Sequence, residues 1–204
     1  FKIDTIRVIG NNHVTEEEIL NLSGIEKGTN IFAFSKKSKA SNIKQNAYID
    51  SVTIKNKLPN TVEIYINERT ISYNIKGDEK YALIDDDGNI LELSSEKANN
   101  PTIIGLKTDV NQSEPGERIN EDDMSKLSEI SKIIETFKNN DLIIDITQID
   151  TSNQEDYILT IDSEQKIVHI GNVSDLGTKT LYIKDIIEKE KGIRGEIFVN
   201  MDLN

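Results

Sequence analysis

Hydrophobic and polar residues alternate in two runs between Ile49 and Arg69. The apolar positions of one parity are Val52, Ile54, Val62, Ile64 and Ile66. Because a β-strand places alternate side chains on opposite faces, each run predicts a strand with one buried and one solvated face. Between them lies Leu58–Thr61, in which Pro59 presets φ for a turn and Asn60 tolerates a left-handed backbone. The pattern predicts an antiparallel hairpin whose apolar face needs a cover.

The residues before this hairpin supply that cover. Phe1–Ile9 is strand-like. Thr15 and Glu18, three residues apart, have the spacing of a capping box and predict the start of a helix, which Gly24 is expected to end. A loop with the apolar residue Phe32, expected to fill the space beneath this helix, leads to a second helix over Ser35–Asn46. The order strand, helix, helix, strand, strand predicts a two-layer unit with both helices on one face of a small sheet.

The remaining chain is also α+β, and its strand signals outnumber its helices. Apolar residues at helical spacing predict helices over Asn120–Lys138 and Lys179–Lys191. Alternation predicts a mostly antiparallel sheet onto which these two helices pack. The predicted strands are Ile71–Ile75, Tyr81–Ile84, Asn89–Leu93, the short Thr102–Leu106, Leu142–Ile149, Asp156–Ile161, Gln165–Ile170 and Glu196–Met201.

Charge divides the 204 residues at the same place. The net charge is −12, but residues 1–69 hold 10 Lys and Arg against 8 Asp and Glu, whereas residues 70–204 hold 14 against 28. These net charges of +2 and −14 support two domains, 1–69 and 70–204. The acidic second domain argues against a nucleic-acid partner, because phosphates would be repelled.

Few residues carry candidate chemistry. The chain has no cysteine and two histidines, His13 and His169, both interpreted as structural. The turn Asp85–Asp87 fails as an EF-hand loop because Leu83 and Ser94 occupy its first and last ligand positions. We therefore expect no catalytic residue, cofactor or metal, although the abundant carboxylates leave a glycosidase-like pair open as an alternative. The second helix carries candidate membrane-facing lysines, which are Lys36, Lys37, Lys39 and Lys44.

The last predicted strand is a candidate partner-binding edge. An edge strand has unpaired backbone groups to which a partner can add a strand. Ile197, Val199 and Met201 share one face of it, and Phe198 and Asn200 share the other. Phe198 is then either displayed as an interface anchor or covered by the last helix.

Several motifs resemble the FtsQ/DivIB bacterial cell-division family. In the first domain these are IRVIGN, GIEKGTNIF and LPNTVEIYINER, which resemble that family's POTRA domain. In the second they are YALIDDDGNIL, PTIIGL and HIGN, which occur in the order found in its β domain. The resemblance spans nearly the whole chain and implies a POTRA domain at 1–69 and an FtsQ/DivIB-type β domain at 70–204.

The resemblance implies a non-enzymatic scaffold of the septum, on the outer face of the cytoplasmic membrane, that coordinates peptidoglycan synthesis. Its implied partners are FtsB/DivIC-like and FtsL-like division proteins, bound by Ile197–Met201 and by Tyr182 on the neighbouring helix. Because Phe1 is not an initiator methionine, we expect an anchoring helix upstream. The first alternative is a POTRA-containing outer-membrane assembly or secretion factor, and the second is a carboxylate-dependent cell-wall hydrolase.

Overall fold

The structure is a computed structural model that describes residues 1–201. The chain forms two compact units, which divide between Thr70 and Ile71. In the described residues no helix is both long enough and apolar enough to cross a membrane.

The first unit contains a three-stranded sheet in the order β1-β3-β2. β1 (Thr5–Ile9) runs parallel to β3 (Thr61–Glu68), and β2 (Ile49–Lys57) runs antiparallel to it. The predicted hairpin is therefore present, and Ile54 lies opposite Ile64 on its covered face.

Two helices cover one face of this sheet. α1 (Glu16–Ser23) begins at Thr15, whose hydroxyl accepts a hydrogen bond from the Glu18 N–H, and ends at the left-handed Gly24. α2 (Lys36–Ile43) begins at Ser35, whose hydroxyl accepts from the Ser38 N–H. The predicted order β-α-α-β-β is thus observed. The buried core includes Ile3, Val14, Ile19, Ile31, Ile43, Val62 and Ile64.

The second unit contains one eight-stranded sheet. The strand order is β11-β10-β9-β8-β7-β4-β5-β6. Neighbours pair in parallel at β10/β11, β4/β7 and β7/β8, and antiparallel at the four other junctions. The strands are β4 (Tyr73–Lys76), β5 (Tyr81–Ile84), β6 (Ile90–Ser94), β7 (Thr102–Ile104), β8 (Gln148–Asp150), β9 (Tyr157–Ile161), β10 (Lys166–Gly171) and β11 (Gly195–Phe198).

Two helices pack on this sheet through apolar stripes. α3 (Met124–Asn139) follows a 3₁₀ turn over Glu121–Asp123, and α4 (Leu176–Lys189) precedes the last strand. Their inward residues join the sheet residues in one core. The buried helix residues include Leu127, Ile130, Ile133, Phe137, Ile183 and Ile187.

One predicted strand follows a different path in the structure. Leu142–Ile149 was expected to be a single strand, but only Gln148–Asp150 is extended in the sheet. Leu142 turns back onto α3 through its N–H bond to the Phe137 carbonyl (2.9 Å), and Ile143 is 94 % exposed. Leu142 and Ile146 share a buried side of this run, but residues 142–146 belong to no strand of the sheet, so the run forms an irregular crossover.

Candidate partner-binding edge

β11 forms one edge of the eight-stranded sheet, and among residues 1–201 no strand pairs with its outer side. The backbone N–H groups of Gly195 and Val199 donate to carbonyls on the β10 side, at 3.1 and 2.9 Å. Backbone groups of a strand alternate in direction, so Ile197 faces β10 as well. The N–H and C=O groups of Glu196 and Phe198 consequently point outward, where a further strand can bond them.

The opposite edge of the sheet is partly covered. The Ile90 carbonyl on β6 accepts from the Gly116 N–H, and the Ile90 N–H donates to the Glu117 carbonyl, both at 2.8 Å. An isolated bridge between Asn89 and Arg118 extends this cover. β11 is therefore the edge with more backbone groups available to a partner.

Side chains on β11 face two environments. Ile197 and Val199 are buried in the core, whereas Phe198 lies on the other face and is 54 % exposed. Met201 was expected to share the face of Ile197 and Val199 but is exposed. The reason is that the regular strand ends at Phe198, so the alternation of faces does not extend to residue 201.

The Phe198 ring stacks on a histidine held between two carboxylates. The His169 and Phe198 ring centroids are 4.4 Å apart with an interplanar angle of 14°. His169 Nδ1 lies 3.2 Å from Asp156 Oδ2, and His169 Nε2 lies 3.4 Å from Glu196 Oε2. The stack fixes Phe198 as a half-exposed apolar surface with an acidic rim, an arrangement suited to binding.

Asp156 also holds the residues that follow β11. Its Oδ1 accepts from the Gly171 N–H (3.2 Å) and from Asn200 Nδ2 (3.1 Å). A Cβ at Gly171 would lie 3.0 Å from the Asn200 Cα, and Gly171 has a φ of +73°. Only glycine allows both this backbone conformation and this close approach without strain. Asp156 and Gly171 thus position Asn200 beside the edge.

A buried lysine fixes the turn that leads into β11. Lys166 on β10 is almost fully buried, and its Nζ donates to the carbonyl oxygens of Glu190 (3.1 Å) and Ile193. These carbonyls lie at and just after the end of α4, where helices leave acceptors unsatisfied. The charge of Lys166 is thereby hydrogen-bonded, and the start of β11 is held in place.

Tyr182 lies on the helix layer, on the other side of the sheet from Phe198. The Lys184 ammonium donates to the Asn140 carbonyl at the end of α3 (3.1 Å). Tyr182 precedes Lys184 by two residues, which is about 200° around the helix axis. Tyr182 is half exposed and therefore lies on the flank of α4 away from α3. The structure brings Phe198 and Asn200 together around Asp156 but leaves Tyr182 apart from them.

A groove adjoins the beginning of the edge. It has a volume of about 380 Å³ and is lined by Ile167, Arg194 and Glu196 among others. Ile167 is partly exposed on the same sheet face as His169, with which it shares its parity on β10. Asp162 and Lys166 also line the groove, which therefore offers an apolar floor and charged residues of both signs beside the outward backbone of β11.

The other residues considered in the sequence analysis have structural roles or lie away from β11. Asp85 Oδ1 accepts from the N–H groups of Asp87 (3.1 Å) and Asn89 (2.7 Å). The Asp85 side chain therefore has a structural role in the β5–β6 turn. On α2, Lys39 donates to the Gly24 carbonyl at 2.8 Å. Lys36, Lys37 and Lys44 are exposed, the first two at the start of α2 and the third just after its end.

Sequence reasoning missed the contacts made by Asp156, His169 and Lys166. Their partners lie 13 to 44 residues away along the chain. The pairing register of β9, β10 and β11 brings them together. The one available signal was that His169 alternates with the apolar Val168 and Ile170 and so falls on the solvated face.

Comparisons with known proteins agree over both units. A family model described as a POTRA domain of the FtsQ type matches residues 1–69. The cell division protein DivIB of Clostridium botulinum strain Loch Maree is 30 % identical over 207 residues, which cover 100 % of this chain and 80 % of that protein. DivIB of C. botulinum strain Hall is 32 % identical, covering 93 % and 69 %. DivIB of Staphylococcus aureus strain NCTC 8325 is 30 % identical, covering 89 % and 38 %. With an FtsQ-type POTRA unit at its start and this similarity along its length, the chain belongs to the DivIB family of cell division proteins.

Proposed function

We propose that this chain is a non-enzymatic scaffold of the division septum, on the outer face of the cytoplasmic membrane, that binds a partner by strand addition to β11. FtsB/DivIC-like and FtsL-like division proteins are the proposed partners, and their recruitment coordinates septal peptidoglycan synthesis. The observation that carries the proposal is the outer side of β11, which pairs with no strand among residues 1–201, beside a half-exposed Phe198. Membership of a cell-division family favours this function over an outer-membrane assembly factor.

In this proposal the backbone of β11 contributes affinity and its side chains contribute specificity. The outward groups of Glu196 and Phe198 give sequence-independent hydrogen bonds to an added strand. Side chains of that strand alternate, so one set meets Phe198 and its acidic rim and the other set meets the flank of α4 that bears Tyr182. Phe198 is the expected anchor, because aromatic truncation at the centre of an interface costs about 2 kcal/mol or more.

The test uses variants that separate backbone from side chain. Glu196→Pro removes one outward N–H, whereas Glu196→Ala removes the same carboxylate and keeps the N–H. We expect the proline variant to bind a DivIC-like ectodomain at least about tenfold more weakly than the alanine variant. Phe198→Asp and Asn200→Pro should also weaken binding, as measured by titration calorimetry.

A surface variant outside the edge provides the matched control. Ile143→Asp changes an apolar side chain in the same unit that is 94 % exposed, and it should leave affinity unchanged. Circular dichroism of every variant establishes that the fold is intact. Equal affinities for Glu196→Pro, Phe198→Asp and the native chain, all folded, would contradict strand addition at β11.

The absence of a reaction is also a proposal and has its own test. His169 with Asp156 and Glu196 is the cluster in this unit that most resembles acid–base machinery, but its other neighbour is the Phe198 ring, which offers no nucleophile. We expect purified peptidoglycan to stay intact with this chain. Release of fragments that is lost in Asp156→Asn would identify a hydrolase instead.

A further inference from the structure

Three separate segments of the first unit meet at one end of its sheet. The Ile31 N–H donates to the Phe1 carbonyl (2.9 Å), and the Asp4 N–H donates to the Asn60 carbonyl in the β2–β3 turn (2.8 Å). The Asn56 side chain ties the end of β2 to the Ile31 carbonyl (3.1 Å). We call this surface the basal end, and it consists of residues 1–4, 28–37 and 57–61.

Large apolar side chains protrude from the basal end. Phe1, Phe32 and Leu58 are 68 %, 62 % and 60 % exposed. The rings of Phe1 and Phe32 touch edge to face, with centroids 5.9 Å apart. The expectation that Phe32 fills the space under α1 is therefore wrong, because the buried Ile31 beside it lies in the core instead. Three such side chains at one end of a small unit indicate a binding surface.

The basal end is also basic. Its three segments contain four lysines and one carboxylate, that of Asp4, whereas the chain as a whole has a net charge of −12. Lys57 lies 3.9 Å from Glu63 and is 58 % exposed. The other three lysines are exposed and form no ion pair within residues 1–201; they are Lys2, Lys36 and Lys37.

We propose that the basal end docks directly on the surface of an anionic lipid bilayer. Aromatic and aliphatic tips suit the boundary between head groups and acyl chains, and lysines around them attract anionic head groups. Phe32 and Leu58 enter this boundary, and Lys36 and Lys37 lie over the head groups. This surface lies in the first unit and is independent of the β11 proposal.

The structure also decides which of the α2 lysines belong to this surface. Lys39 is bonded to the Gly24 carbonyl at the end of α1. Lys44 follows the last residue of α2, eight residues beyond Lys36, which is about 12 Å along the helix axis. Near it, Asn46 bonds Glu18 on α1 (2.7 Å), away from the segments of the basal end. Lys36 and Lys37 are therefore assigned to the bilayer, and Lys39 and Lys44 are not.

Vesicle binding by the 204-residue chain tests the proposal. The probes are vesicles with roughly half phosphatidylglycerol and vesicles of phosphatidylcholine alone, compared by co-sedimentation. We expect binding to the anionic vesicles that falls steeply with added salt. Because the whole chain is acidic, its net charge opposes this binding, so any attraction has to come from a local basic surface.

Paired variants assign the binding to the basal end. Phe32→Ser with Leu58→Ser, and separately Lys36→Glu with Lys37→Glu, should each weaken the partition constant by about tenfold or more. The matched controls are Ile143→Ser and the pair Lys76→Glu with Lys132→Glu, which change exposed residues of the second unit and should have smaller effects. The proposal is overturned by a native chain that ignores anionic vesicles, or by control variants that lose as much binding as the basal ones.

Discussion

One carboxylate ties the loop before α1 to the end of β3. Glu68 accepts hydrogen bonds from three consecutive backbone N–H groups, those of Asn12 (3.0 Å), His13 (2.7 Å) and Val14 (3.0 Å). Burial raises the pKa of Glu68, but the three N–H donors together outweigh this effect and lower the pKa below its ordinary 4.5. The ionised form of Glu68 therefore stabilises the first unit.

The geometry sets the size of the effect of Glu68→Ala. Hydrogen bonds to charged groups contribute about 1.5–3 kcal/mol each when buried. Two of these three are exposed, so water replaces much of what is lost, and we expect about 2 kcal/mol in total. For a unit of this size that corresponds to a fall in Tm of about 8–16 °C. Glu68→Gln should have a smaller effect, because its amide still offers one acceptor oxygen.

The dependence on pH follows from the sign of the pKa shift. A carboxyl group with a lowered folded-state pKa contributes its full stability above its unfolded pKa, and the contribution disappears as pH falls through the folded value. The difference between the native chain and Glu68→Ala should therefore be complete at pH 7 and should shrink progressively below about pH 4.5.

Amide hydrogen exchange at residues 12–14 is the assay, because it reports on the bonds themselves. Glu68→Ala should lose protection there at pH 7. Glu26→Gln is the matched control, since the Glu26 side chain is exposed and makes no hydrogen bond within residues 1–201. Equal protection of residues 12–14 in Glu68→Ala and the native chain, or an unfolding difference that does not shrink at all as the pH falls below about 4.5, would refute the reasoning.

Three further predictions concern the second unit. Asp123→Ala should lower stability by about 3 kcal/mol in urea unfolding, because the buried carboxylate accepts from the backbone N–H groups of Lys107 (2.9 Å) and Thr108 (2.8 Å); an unchanged midpoint would contradict this. Gly171→Ala should weaken partner binding and keep a native-like circular dichroism spectrum, because the added Cβ displaces Asn200. Its control is Gly177→Ala, since a Cβ at Gly177 would meet open space. Lys166→Ala should raise hydrogen exchange in residues 190–195 more than in α3, and uniform exchange would count against its anchoring role.

Local signals predicted the first unit well. Thr15 caps α1 by accepting from the Glu18 N–H, as predicted, but the Glu18 carboxylate accepts from Asn46 instead of completing the capping box. The β2–β3 hairpin closes at residues 58–60, without the left-handed backbone that Asn60 would tolerate. The Thr15 cap and the hairpin turn rest on residues within a few positions of one another, so the sequence pattern contains them. Alternation likewise put Ile197 and Phe198 on opposite faces of the last strand, but it left open which of the two faces is buried.

The sequence did not contain the contacts that shape the candidate edge. Stacking of His169 on Phe198 depends on the register of two parallel strands that are joined through α4. The irregular path of Leu142 depends on how α3 ends, because that end bonds the Leu142 N–H. Phe32 is exposed because the neighbouring Ile31 occupies the core position instead. Each is a tertiary outcome in which packing overrides a local pattern.

Amide exchange at β11 during partner binding tests the central claim most directly. The outward N–H groups of Glu196 and Phe198 should exchange freely in the isolated chain and become protected at saturating DivIC-like ectodomain, whereas the inward N–H of Ile197 should change little. Continued free exchange of Glu196 and Phe198 in a saturated complex would show that the partner binds elsewhere.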